Sequence, residues 1–133
     1  MIIRCWGARG SIPVSGKEYL KYGGSTTCLE LRTKDDEIII IDAGSGIRKL
    51  GNNLLDENRY EYSILFTHAH WDHVLGLPFF KPIYVEGTHI NVFGCPFTQE
   101  SVEQMISRTM AHPNFPVNFE EVKSHMKLTG YST

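Results

Sequence analysis

The sequence predicts an α+β domain, one mixed sheet with helices laid against it. Three observations lead there. Residues 28–33 (CLELRT) and 37–42 (EIIIID) are extended runs separated by Lys34-Asp35-Asp36, which reads as a hairpin and excludes a purely parallel array. The first run alternates while the second is solidly apolar, so the second belongs inside the sheet. Downstream, extended runs and stretches of helical spacing follow one another.

The elements follow in order. Residues 2–6 (IIRCW) form a short strand that the glycines of GARGSIPVSG end. Residues 19–27 (YLKYGGSTT) are a turn, on the strength of a double glycine and small hydroxyl residues. After the hairpin comes AGSG, then Ile47, Leu50, Leu54 and Leu55 at helical spacing, which predicts a helix over 45–56. Residues 63–67 (SILFT) are a buried strand, and residues 90–93 are another, closed by Gly94. The clearest helix runs over 98–110. Thr98 is its expected N-cap, Glu100 lies in its first turn, and Val102, Met105, Ile106 and Met110 share a face. Residues 125–129 (HMKLT) make a last strand.

At 133 residues the chain has room for a single domain, 1–133, with a real core. A composition 41% hydrophobic and 21% charged is that of a globular protein, not a disordered, collagen-like or coiled-coil chain. A formal net charge of -2 gives no hint of nucleic-acid or polybasic membrane binding. The longest aliphatic run, residues 38–41, is far short of a membrane span, and the N-terminus has no signal-peptide core. Cys5, Cys28 and Cys95 are widely spaced and form no CxxC, so they read as reduced, buried thiols in a cytoplasmic protein.

The chemistry concentrates in Thr67-His68-Ala69-His70-Trp71-Asp72-His73. With six histidines in the chain, HxHxDH arises by chance about four times in ten thousand such compositions. On an extended strand end, residues two apart point the same way, so His68 and His70 can offer imidazole nitrogens to one ion. Asp72 continues that face with a hard oxygen. His73 points elsewhere unless the chain turns, and so suits a second ion. Two divalent ions ~3.5–4 Å apart would share a hydroxide and clamp a phosphate or carbonyl oxygen. Two plainer readings stand beside this one: histidines bonded to neighbouring backbone, and a single structural metal.

The motif resembles the signature of the metallo-β-lactamase superfamily. WGARGSIPVSG, YLKYGGSTTCLEL, IIIIDAGSGIRKLG, the motif with LGLPFF after it, and HPNFPVNFEEV are similar to its phosphodiesterase-like and ribonuclease Z-like branch. That resemblance implies a metal-dependent hydrolase, acting through a metal-bound hydroxide on a small-molecule or nucleotide phosphodiester, with RNA among the candidates. It implies two divalent ions, zinc first, with manganese or iron as alternatives. His68 and His70 would bind the first and Asp72 and His73 the second, with Asp72 also taking part in proton transfer. Asp42 and Thr67 would support the ligands, an acid at a strand end orienting imidazoles and raising their basicity. For Asp42, an N-cap of the following helix is an equal reading.

Two departures stand out. The branch commonly has Gly-Gly-Asn where Gly23-Gly24-Ser25 stands, so one side-chain amide is lost. The αββα sandwich resembled needs about twice this length, so the chain corresponds to its first half: a truncated domain or a piece of a larger assembly. The family's remaining metal ligands come from the later half, leaving His89, His112 and His125 as the only candidates here. Two copies pairing through exposed sheet faces would be one completion.

Rival readings are weaker. Gly44-x-Gly46 after a strand suggests a dinucleotide fold, but Lys49 replaces the third glycine and Asp42 would repel a pyrophosphate. Neither a P-loop nor GxSxG occurs, and Cys28 has no histidine near it in sequence. Trp71 either stacks on a base or packs beside the metals. The alternatives carried forward are a catalytically incomplete metal-binding or interaction module, and a thioester hydrolase or oxidoreductase of the same fold.

Overall fold

Buried residues at every second position commit one side of the inner strands to a core. In the computed structural model, which describes residues 1–94 and 101–130, six strands form one sheet in sequential order. They are β1 (Ile2–Gly7), β2 (Cys28–Arg32), β3 (Ile38–Ile41), β4 (Glu61–Phe66), β5 (His89–Gly94) and β6 (Met126–Gly130). β1, β2 and β3 are antiparallel neighbours, with Leu29 opposite Ile41 and Arg32 opposite Ile38. From β3 onward every pairing is parallel. The hairpin and the interior position of residues 38–41 are as the sequence predicts.

Parallel neighbours need crossovers, and helices supply them. Helix α1 (Ile47–Asp56) joins β3 to β4, and α3 (Val102–Thr109) lies between β5 and β6. The single turn α2 (Trp71–Val74) opens the connection from β4 to β5. Ile47, Leu50 and Leu54 of α1 and Met105 and Ile106 of α3 are buried with Ile38, Ile40, Tyr62, Ile64, Phe66, Ile90 and Val92 in one cluster. All those strand residues share one face of the sheet, in register across the strands.

Two expectations change. Ser101 caps α3: its hydroxyl accepts from the Gln104 amide, and the Gln104 side chain accepts from the Ser101 amide. This reciprocal pair satisfies two otherwise orphaned donors. Thr98 and Glu100, the expected cap and first turn, lie outside the described residues, as does Cys95. Cys28 is buried as expected, but Cys5 is exposed, because it faces the side of edge strand β1 that no helix covers. Among the described residues, no helix is long and apolar enough to cross a membrane.

Candidate functional site

Strands β3, β4 and β5 run parallel, so the loops at their carboxyl ends gather at one edge, where open sheets commonly place ligands. β4 ends at Phe66 and the HxHxDH segment leaves the sheet there. His70 is still extended (φ −63°, ψ 145°), but α2 begins at Trp71. The strand-end picture therefore holds only as far as His70. The helical turn folds His73 back onto His68, with ring centroids 4.0 Å apart, while His70 meets His68 at 4.5 Å. The three imidazoles form one cluster.

Close backbone packing holds this turn. The Ala43 amide donates to the His73 carbonyl at 2.7 Å, and the Gly76 amide donates to the Ala43 carbonyl at 2.8 Å. A side chain at Gly76 would place its Cβ 2.0 Å from the Gly44 carbonyl oxygen, and one at Gly44 would lie 2.5 Å from that of Asp72. No side chain fits either position, so the approach of the β3 and α2 loops requires both glycines. The GGSTT turn is fixed by Thr26 and Ser45, each side-chain hydroxyl accepting from the other's amide at 2.8–2.9 Å. Ser25 contributes its carbonyl, which accepts from the Arg9 amide at 3.0 Å.

Asp42 is 2% exposed and sits at φ +61°, a backbone region that costs an aspartate energy unless its surroundings fix it. They do so with several bonds. Its carboxylate accepts from the Thr67 amide, the Thr67 hydroxyl and His73 Nδ1, each at 2.8 Å. Asp42 does not cap α1, whose N-cap is Gly46 with no side-chain bond.

This network fixes tautomers. A carboxylate only accepts, so His73 Nδ1 carries a proton, and in the neutral ring the lone pair is on Nε2. The Thr67 hydroxyl spends its proton on Asp42 and so accepts from His68 Nδ1, 2.9 Å away. In the neutral ring the lone pair of His68 is therefore on Nε2 as well. One buried acid thus sets two imidazoles, one directly and one through Thr67.

Asp72 points to the other flank. Its Oδ2 accepts from the Ser11 amide at 2.9 Å and lies 3.5 Å from His73 Nε2. The Ser11 amide, more than the neighbouring His73 and His70, holds the Asp72 carboxyl below its ordinary value. Sequence reasoning missed Ser11, because a backbone donor 61 residues away leaves no side-chain signature. Trp71, the other unassigned member, is 63% exposed.

The remaining histidines are dispersed. His89 opens β5 and His125 precedes β6, both at the opposite edge of the parallel strands. His125 Nδ1 engages the Ile83 carbonyl at 2.7 Å. His112 is exposed in the segment after α3. Three imidazoles and a carboxylate, two of the rings with Nδ1 engaged by a neighbour, fit divalent metals in kind. Among the described residues no group of three His, Cys, Asp or Glu side chains is gathered tightly enough to hold an ion alone.

Comparison with known proteins bears on the family and the fold. Residues 37–130 match the family described as the Beta-lactamase superfamily domain. Ribonuclease Z of Thermococcus kodakarensis is 27% identical over 100 residues, and that of Thermococcus gammatolerans 30%. Each match covers 71% of this chain and 32% of the relative, so the chain spans about a third of the curated relatives' length. The crystal structure of a diphosphatase from the PhnP family has a TM-score of 0.56 at 18% identity, covering 98% of this chain and 50% of that one. That likeness is one of fold.

Proposed function

The chain belongs to the metallo-β-lactamase superfamily, on its phosphodiesterase and ribonuclease Z-like side, and from that premise we propose that its histidine cluster serves metal-dependent hydrolysis of a phosphodiester. The observation that carries this reading is the contact of His68, His70 and His73 above an acid that fixes two of their tautomers. His68 and His70 hold one divalent ion, and Asp72 with His73 a second, zinc suiting imidazole and carboxylate best, with manganese or iron as alternatives. Bound there, such ions supply Lewis acidity toward water and toward the phosphoryl oxygens. Asp42 and Thr67 keep the ring nitrogens aimed and basic. Asp72, ionised with the help of the Ser11 amide, takes up the proton of the attacking water and hands it to the leaving oxygen.

The substrate is a small-molecule or nucleotide phosphodiester, RNA included, met in the cytoplasm. The rest of the ligand shell comes from His112, from a further segment, or from a second copy. A homo-oligomer paired through the half-exposed sheet face would show as twice the chain mass in solution, and a strictly monomeric mass counts against it.

A second reading has its own observation, the incomplete donor set: a metal-binding module without turnover. Metal content per chain, measured on protein purified without added metal, separates the two. Two ions, with hydrolysis of an activated aryl phosphodiester lost on chelation and in His70→Ala, support the hydrolase. One ion with no turnover supports the module, and none counts against both.

A further inference from the structure

Two clefts are formed by residues in or bonded close to the histidine segment. The larger, about 530 Å³, is lined by Arg9, Gly10, Glu18, Tyr19 and Tyr22, within the range of small-ligand sites. The smaller, about 170 Å³, lies between Trp71 and the α3 residues Met105 and Arg108. The larger one is linked to the site through the chain. Gly10 lines it, and the next residue, Ser11, donates to Asp72. Consecutive Cα atoms are about 3.8 Å apart, so the cleft begins one residue from the bond to the motif.

Its walls have the chemistry of a base-binding platform. Arg9 is pinned by its amide to Ser25 and by Nε to the Ile12 carbonyl at 3.1 Å. Its guanidinium lies 5.1 Å above the Tyr19 ring. Tyr22 is 80% exposed, with the Lys21 ammonium 5.0 Å from its ring centre. Core packing does not account for a ring that open. Flat aromatic and guanidinium surfaces stack on bases of any identity. Glu18, the one acid lining the cleft, disfavours a phosphate there and accepts from the amino or imino groups of a base.

We propose that the cleft of Arg9, Tyr19 and Tyr22 holds the planar base of a nucleotide substrate whose phosphate lies at the histidine cluster. The proposal rests on the phosphodiester reading and narrows it to nucleotides. The test is titration calorimetry on the full chain with adenosine 5′-monophosphate, ribose 5-phosphate and inorganic phosphate. Adenosine monophosphate is expected to bind about tenfold or more tightly than ribose 5-phosphate. Tyr22→Ala, at an exposed position that threatens no packing, and Tyr19→Ala remove that advantage and leave inorganic phosphate binding unchanged.

Equal binding of the nucleotide and the sugar phosphate overturns the base site while leaving the phosphate reading standing. Loss of the advantage in Trp71→Ala, with both tyrosine variants unaffected, overturns it in favour of the smaller cleft. If none of the three phosphates binds, the phosphodiester reading itself falls, and the base site with it.

Discussion

The two faces of the sheet carry similar apolar strands and live in different surroundings. On one face Ile38, Ile40, Ile64 and Val92 are at most 3% exposed beneath α1 and α3. On the other, Leu29, Leu31, Ile39, Ile41 and Leu65 are only half-buried, and Ile3 is 59% exposed. Four consecutive isoleucines are the pattern of a strand covered on both faces. The described residues cover one. The same 38–41 run therefore stabilises the fold chiefly with its even-numbered side chains and leaves its odd-numbered ones half-buried.

The contrast can be broken first by thiol chemistry. Cys5 sits on the open face and Cys28 on the covered one, where burial above all, with Asp42 adding to it, pushes its thiol up. Alkylation at pH 8 with peptide mapping is expected to modify Cys5 at least about a hundredfold faster, because Cys28 reacts only through local opening. Comparable rates would mean that the covered face opens readily.

Truncation sharpens it in energy. Ile40→Ala is expected to cost about 3–4 kcal/mol in urea denaturation, as for a fully buried isoleucine, and Ile39→Ala about 1 kcal/mol. Equal losses would show that the open face is covered in solution. Glu30, wholly buried on the helix face, accepts from Trp6 Nε1 at 2.8 Å and from Arg32 Nε at 2.5 Å. Glu30→Gln is expected to cost about 2 kcal/mol by weakening two bonds to a charged acceptor. A neutral result would mean that Arg32 is satisfied by Glu57 alone, at 2.7 Å.

The smallest effect is a pH dependence. Burial pushes the Tyr62 hydroxyl up to about 12, so the folded state favours its neutral form. Its stabilising contribution is intact below pH 10 and is lost as pH rises through about 12. Tyr62→Phe should flatten that alkaline limb in denaturation midpoints measured across the range. An unchanged limb would assign it to another group.

Much of this was legible in residue order. The hairpin, the inner strand, the faces of α1 and α3 and the HxHxDH cluster follow from spacing, because periods of two and of 3.6 are local properties of the backbone. The bend at Trp71 was not. A strand end and a one-turn helix accept the same residues, and only the bonds from Ala43 and Gly76 select the helix. Cys5 was misplaced for a related reason: a side chain's burial depends on what covers its face, and an edge strand's own sequence does not say.

By itself, then, the sequence determined which elements form and that three imidazoles and an aspartate are offered from one short segment. The tertiary structure decided what that segment does with them. It turned His73 onto His68, set Asp42 beneath both rather than on a helix end, and brought the Ser11 amide to Asp72 across 61 residues. Such pairings are made by chain segments that meet only after folding, so no periodicity records them. The distances that turn a histidine-rich segment into a site belong to the fold.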